Sequence, residues 1–215
     1  MTWLQGHFSD VLSLTGLHIY LAGVPLVLGL LIALPLGWLA SRYKVLYPFL
    51  IMGTGLLYTI PSLALFIMLP LLLPFKILDP NNVLVAMTIY TVALLVRTVA
   101  DGLSAVPDAV NQSATAMGYK RLRRFMSVEL PLAVPVISAG LRVAAVSNVS
   151  IVSVATLIGV SQLGSLFTDG FSRAFVEPIL VGVVACVLLA LLFDGVILGA
   201  TVLATPWLRA GKASG

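Results

Sequence analysis

The chain has 215 residues, of which 60% are hydrophobic and 9% are charged, and its mean hydropathy is +1.11. A water-soluble domain of this length carries roughly a quarter charged residues, so the composition excludes an ordinary soluble protein and indicates an integral membrane protein. The formal net charge of +4 does not indicate nucleic-acid binding, because the basic residues lie in short loops beside hydrophobic runs.

Five apolar segments are long enough to cross a hydrocarbon core, which takes about 20 helical residues. We therefore predict an all-α membrane protein with about five transmembrane helices, organised as a single small bundle over residues 1–215. The predicted spans cover residues 17–40, 47–73, 82–99, 133–158 and 178–204. Proline interrupts the first, second and fourth spans, and such a kink is typical either of a translocation pathway or of a passive bend.

Polar side chains interrupt the second and fourth spans. They cluster around Pro61 in the second span and in the run Ser147, Asn148, Ser150 and Ser153 of the fourth. Such groups either hydrogen-bond a neighbouring helix or line a path for a polar solute. The candidates for a solute path are Tyr58, Thr59, Pro61, Ser62, Ser147, Asn148 and Ser150.

The one long polar passage between spans covers about residues 101–131. Pro107 and Asp108 favour a helix start and Gly118 favours a helix end, so we predict a short helix over 109–117. A second short helix is predicted through the basic run to Glu129, before Pro131 turns the chain back into the membrane. The passage is either a solvated, positively charged loop or a rigid lever that docks on a partner. The candidate docking residues are Gln112, Ser113, Ala114, Gly118, Tyr119, Lys120, Arg121 and Pro131.

Charged residues inside the spans are costly, at least ~2.5 kcal/mol each in lipid. Asp194 lies deep in the fifth span, where it either pairs with or packs against a neighbouring helix, or takes part in gating. Arg142 and Arg97 lie nearer span ends and are predicted to extend to the interface. No residues have the spacing of a catalytic or metal site, and the lone Cys186 allows no disulfide within the chain.

Basic residues concentrate in alternate loops, which predicts the orientation of the chain. With five spans, this bias places the amino terminus outside and the carboxyl terminus in the cytoplasm. The residues that carry the prediction are Arg42, Lys44, Lys120, Arg121, Arg123, Arg124, Arg209 and Lys212.

The polar passage resembles the coupling loop of permease subunits of binding-protein-dependent ABC importers. That family has Glu-Ala-Ala, three further residues, Gly, and a Leu-Pro downstream. Here the corresponding residues are Gln112-Ser113-Ala114, then Gly118, then Leu130-Pro131. In this chain Gln112 replaces the family's Glu and Ser113 replaces its first Ala. Because Gln112 has no charge, it cannot form an ion pair that the family's Glu would form.

Further motifs resemble the permeases of osmoprotectant importers for glycine betaine, carnitine, choline or proline betaine. The most specific is Thr59-Ile60-Pro61-Ser62-Leu63-Ala64-Leu65 in the second span. The loop after the fourth span is also similar, although Ser161-Gln162 stands where that family usually has Gly-Gly. The remaining matches are Tyr90 and residues 97–102, 106–109, 157–159, 163–164 and 167–170.

The resemblance implies a multi-pass permease of the cell membrane with the fold of type I ABC importers. It further implies two ATPase subunits, a second permease copy or a homologous permease, and an extracytoplasmic solute-binding protein. This chain has no Gly-x-x-x-x-Gly-Lys-Ser/Thr phosphate loop, so ATP and Mg²⁺ are expected in the partner ATPase rather than here. We predict a transport subunit rather than an enzyme.

Three alternatives are open at the level of sequence. Within the same mechanism, the chain could be the permease of an amino-acid importer of the methionine type. A membrane enzyme acting on lipid would need clustered His, Asp or Glu at one interface, and a secondary transporter would need inverted repeats or a coupling-ion site. Neither pattern is visible in the sequence.

Overall fold

The computed structural model describes residues 2–43 and 45–207. Within these residues the chain forms ten α-helices. Lys44, Arg209 and Lys212, which contributed to the predicted orientation, lie outside the described residues. The helices are α1 (Thr2–Gly6), α2 (Phe8–Arg42), α3 (Leu46–Thr59), α4 (Ser62–Leu72), α5 (Pro80–Ser104), α6 (Asp108–Ala116), α7 (Arg121–Arg124), α8 (Leu130–Val152), α9 (Ser165–Ser172) and α10 (Val176–Ala204).

The membrane-spanning part agrees with the predicted all-α class. Among the described residues, α2, α5, α10 and the helix that runs from Arg121 to Ile158 are each long and apolar enough to cross a membrane. The fifth candidate is the bent pair formed by α3 and α4. The first and third predicted spans are longer than expected, since α2 begins at Phe8 and α5 continues to Ser104.

Helix α5 is the centre of the bundle and the most buried of these helices. Its start is fixed locally, because the Asp79 side chain accepts a hydrogen bond from Asn81 N and Pro80 occupies the first turn. α5 packs against α2, α3, α4 and α8, and buries Met87, Val96 and Val99 completely. Helix α10, by contrast, exposes most of its apolar residues on this chain, as suits a helix that faces lipid.

Small residues let α5 approach its neighbours closely. A Cβ added to Gly37 of α2 would lie 2.6 Å from the Val99 side chain, and one added to Gly29 would collide with Thr91. Gly140 of α8 lies equally close to Thr98. Close backbone approach of this kind supplies packing that hydrophobic burial cannot supply between helices in lipid.

The predicted second span is broken rather than merely kinked. α3 and α4 meet at an angle of 105°, because Ile60 and Pro61 are both extended, with ψ of 128° and 134°. A proline in a helix has no N–H, so the carbonyl four residues earlier loses its hydrogen-bond donor. For Pro70, a side chain of α5 supplies a donor instead. Asn82 Nδ2 donates to Phe66 O at 2.7 Å, the carbonyl that Pro70 leaves without a helical partner.

The prediction that Pro131 turns the chain back into the membrane is wrong. The helix continues from α7 through a π-helical turn over Phe125–Glu129 into α8, and Pro131 lies in the first turn of α8. Pro131 has no N–H to continue the hydrogen-bond ladder, and it directly follows the wider π-helical turn, where the regular ladder is already interrupted. The Leu130 N–H bonds to Phe125 O instead, five residues earlier.

Arg142, which is predicted to extend to the interface, forms an ion pair with Asp194 in the structure. Its Nε and Nη2 atoms donate to the two carboxylate oxygens of Asp194, at 2.6 and 2.8 Å. This bidentate pair joins α8 to α10 and agrees with the pairing interpretation of Asp194. Arg97 forms a looser pair with Asp101 one turn along α5, at 3.6 Å, with both side chains largely exposed.

Candidate functional site

The polar passage folds into a short helix with defined ends. α6 follows Pro107, carries Asp108 in its first turn and ends at Ala116, so the predicted helix over 109–117 is present. Gly118 adopts φ +83°, and the Tyr119 N–H bonds back to Ala114 O at 3.1 Å. This is the left-handed helix ending that glycine favours. An added Cβ at Gly118 would meet no neighbouring atom, so glycine is required by backbone conformation alone.

The candidate docking residues divide into an outer and an inner set. Gln112, Ser113, Gly118, Lys120 and Arg121 are exposed, and Tyr119 and Pro131 are half-buried. Ala114, however, is 1% exposed and packs inside the chain. Its small side chain therefore serves the seating of α6 on this subunit and is not available to a partner.

A salt bridge that the sequence did not reveal clamps α6 in place. Arg124 Nε donates to Glu129 Oε1 at 2.7 Å, and Arg124 Nη1 donates to Thr115 Oγ1 at 2.8 Å. Both charged side chains are less than 15% exposed. The five-residue spacing of Arg124 and Glu129 matches the π-helical turn between them, a feature that helical periodicity of 3.6 does not predict.

The clamp stands beside an open groove of about 530 Å³. The groove is lined by residues from three elements. They are Trp38 and Arg42 at the end of α2, Ser104 at the end of α5, and Asp108 and Gln112 of α6. The ring of Trp38 contacts that of Phe125, with centroids 5.7 Å apart. The end of α2, the end of α5 and α6 therefore lie at one end of the bundle.

The polar residues of the second span gather at the break between α3 and α4. Tyr58 and Thr59 are exposed and Ser62 is half-buried. The Tyr58 ring meets the ring of Tyr90 edge-on, with centroids 5.8 Å apart and planes at 89°. The Tyr90 hydroxyl in turn donates a hydrogen bond to Ile60 O at 2.5 Å. This bond attaches the segment between α3 and α4 to α5.

The polar residues of the fourth span point in different directions. Asn148 is 2% exposed and donates to Ala22 O at 3.2 Å and to Thr91 Oγ1 at 3.0 Å, so it joins α8 to α2 and α5 within the subunit. Ser147 is half-buried and Ser150 is exposed. In the part of the chain that the structure describes, no hydrogen bond joins these residues to those at the break.

A second polar cluster lies buried at the other end of the bundle. The ring nitrogens of His18, a fully buried residue, lie 3.1 Å from Gln162 Oε1 and 3.0 Å from Val149 O. Gln162 Nε2 also donates to Ser153 O. The sequence signal for this cluster was Gln162 standing at a position where the similar permeases usually have glycine.

Comparison with known proteins identifies relatives over most of the chain. Residues 26–206 match the family described as the binding-protein-dependent transport system inner membrane component. The osmoprotectant import permease protein OsmW of Salmonella typhimurium is 33% identical over 199 residues, covering 90% of this chain and 91% of that protein. The glycine betaine/carnitine/choline transport system permease protein OpuCB of Bacillus subtilis is 30% identical, covering 92% and 89%.

The fold also matches solved structures. A chain of the MetNI methionine ABC transporter, in an inward-facing conformation, superposes with a TM-score of 0.83 at 18% identity, covering 95% of this chain and 98% of that one. A second crystal form of the same transporter gives a TM-score of 0.82. At this identity the likeness establishes the fold, that of a type I ABC importer permease.

Proposed function

Because the chain belongs to the family of inner membrane components of binding-protein-dependent transport systems, we propose that it is the permease subunit of an ATP-driven osmoprotectant importer. Its solutes would be quaternary amines such as glycine betaine, carnitine, choline and proline betaine. The observation that carries the solute class is the similarity to OsmW over 90% of this chain. The protein is a multi-pass membrane protein and a transport subunit.

The clamped loop supports a role in coupling. We place α6 in the cytoplasm, where two separate ATPase subunits would bind ATP and Mg²⁺ and dock against the exposed residues of the passage 101–131. Gln112, Ser113, Gly118, Lys120 and Arg121 would form the contact, with Tyr119 and Pro131 beside it. Because Arg124 joins Thr115 to Glu129, a push on α6 would pass directly to the base of α8.

The solute would cross between this subunit and a second permease, either an identical copy or a homologue. We assign the path to the residues at the break, Tyr58, Thr59, Pro61 and Ser62, and to Ser147, Asn148 and Ser150 of α8. Asn148 is buried within the subunit, so its part would require movement of α8 relative to α2. A solute-binding protein on the outer side would deliver the solute, and differential affinity for the inward- and outward-open states would couple the steps.

The methionine-type alternative shares the fold. The likeness to the methionine transporter is 18% in sequence and does not extend to the solute. The named relatives at 30% identity or more transport osmoprotectants by name. We therefore favour the quaternary amines.

The first test is the ATPase activity of the complex reconstituted with its ATPase and binding-protein partners. Betaine, carnitine, choline, proline and methionine would be added in turn. We expect stimulation by a quaternary amine, and loss of that stimulation in Gly118→Val, because φ near +80° strains a residue with a Cβ by roughly 1–2 kcal/mol. Gly16→Val is the matched control, since Gly16 is an exposed glycine within α2 with free space around it.

Each outcome decides a separate part of the proposal. Stimulation by methionine alone would keep the importer and overturn the solute class. Equal stimulation of Gly118→Val and Gly16→Val would overturn the coupling role of the loop. Failure of the chain to assemble with any ATPase subunit would overturn the permease assignment.

A further inference from the structure

The break between α3 and α4 leaves two backbone carbonyls without donors. The last four carbonyls of a helix have no partner within it. In α3, Leu56 O accepts from Thr59 Oγ1 at 2.7 Å and Leu57 O accepts from Ile60 N at 3.3 Å. Among the described residues no donor reaches the carbonyls of Tyr58 and Thr59.

The length of α3 would place these carbonyls at membrane depth, and the residues that carry them are exposed on the chain. α3 has 14 residues, so its end lies about 20 Å along the helix axis from its start, within a hydrocarbon core of about 30 Å. Irregular backbone at that depth is tolerated only where protein covers it or where it lines a water-filled cavity. Tyr58 is 40% exposed and Thr59 and Pro61 are exposed, so the break faces either the aqueous path or the second permease.

The break also presents an aromatic ring that the fold holds in place. One edge contact, to Tyr90, positions the Tyr58 ring, and Tyr90 is itself 3% exposed and bonded to Ile60 O. Tyr58 can therefore offer an open part of its π surface next to the free carbonyls. The carboxyl end of a helix carries partial negative charge, and an aromatic face attracts cations.

These features suit one kind of ligand. A quaternary ammonium group has no N–H to donate, so it is held by diffuse negative potential, from an aromatic face and from carbonyl oxygens at a helix end, rather than by directed hydrogen bonds. The charged residues that the structure describes within α8 and α10 at membrane depth, Arg142 and Asp194, neutralise each other. Neither of them therefore supplies an uncompensated charge to the break.

We propose that the Tyr58 ring and the free carbonyls of Tyr58 and Thr59 form a low-affinity quaternary-ammonium site on the translocation path. This inference deepens the proposed function and rests on it. A site made of one ring face and two carbonyls binds its ligand with low affinity. Low affinity suits a site on a translocation path, because the solute must leave it again.

The test is choline uptake into liposomes that contain the complete importer. We expect Tyr58→Leu to lower the uptake rate by roughly three- to tenfold, the range of a partly desolvated cation–π contact. Tyr58→Phe should keep most of the rate, because the ring and not the hydroxyl is used. Tyr20→Leu is the control, since Tyr20 of α2 is similarly exposed, at 48%.

A series of fluorinated phenylalanines at position 58 separates cation binding from packing. Each added fluorine weakens the negative potential of the ring face with little change in shape, so uptake should fall in steps. An unchanged uptake rate across the series would contradict the site and leave the importer assignment intact. Equal uptake rates in Tyr58→Leu and Tyr20→Leu would do the same. Absence of choline and glycine betaine uptake in the wild-type importer would instead overturn the proposed function, and the site with it.

Discussion

Arg124 shows how a single residue turns a loop into a rigid element. Its guanidinium bonds at once to the Thr115 hydroxyl of α6 and to the Glu129 carboxylate at the base of α8. Hydrogen bonds to charged groups contribute roughly 1.5–3 kcal/mol each when they are shielded from water. The neighbouring Arg123 makes a different contact, over the ring of Tyr119 at 4.9 Å. Among the described residues no hydrogen bond or ion pair joins Arg123 to α6 or α8.

We predict that Arg124→Met loosens α6 whereas Arg123→Met does not. Hydrogen exchange of the backbone amides of residues 108–117 should become faster by roughly tenfold or more in the first variant, since an interaction of about 1.4 kcal/mol corresponds to a factor of ten. Glu129→Gln should have a smaller effect, because the Thr115 bond remains. Equal protection of these amides from exchange in Arg124→Met and Arg123→Met would contradict the role of Arg124 in holding α6.

At the scale of helices, the Arg142–Asp194 pair is a strong link between α8 and α10. The two side chains are 39% and 28% exposed on this chain, and each would stand as an unpaired charge in an apolar setting if its partner were removed. Breaking a pair in such a setting costs more than replacing both partners, because the remaining charge has lost its compensation.

We predict that Arg142→Gln and Asp194→Asn each lower the unfolding temperature of the purified subunit, because each variant leaves one unpaired charge between α8 and α10. The double variant Arg142→Gln with Asp194→Asn should recover part of that loss. Thermal unfolding in detergent measures both. Arg97→Gln is the control, since its pair with Asp101 is 68% and 48% exposed and such pairs contribute at most about 1 kcal/mol. A double variant no more stable than the worse single variant would refute the link.

At the scale of the whole molecule, the structure separates two ends along the membrane axis. Pro131 and Trp207 line one groove, so the base of α8 and the end of α10 meet. α9 packs against the other end of α10, where a Cβ on Gly182 would touch Phe167. α6 and α9 therefore lie at opposite ends of the bundle, and we propose the end with α6 as cytoplasmic.

We predict that a membrane-impermeant maleimide labels Ser172→Cys from outside the cell and labels Ser113→Cys only in inverted vesicles. Both positions are exposed, and Cys186→Ser would remove the native thiol. Labelling of Ser113→Cys in intact cells would contradict the proposed cytoplasmic position of α6. It would also contradict the proposed docking of the ATPase subunits on α6.

Composition and the lengths of apolar runs determined the all-α membrane class of this protein, and Pro107, Asp108 and Gly118 determined the position of α6, because these properties depend on local residues. Hydropathy alone is enough to identify a membrane span, and Gly118 ends α6 through its own backbone freedom. The clamp, the break and the ion pair depended on tertiary structure. Arg124 needed a π-helical turn to reach Glu129, Tyr90 needed α5 beside Ile60, and Arg142 met Asp194 across 52 residues of sequence. In the last two cases only packing brings the partners together, since spacing along the chain carries no information about which helices become neighbours.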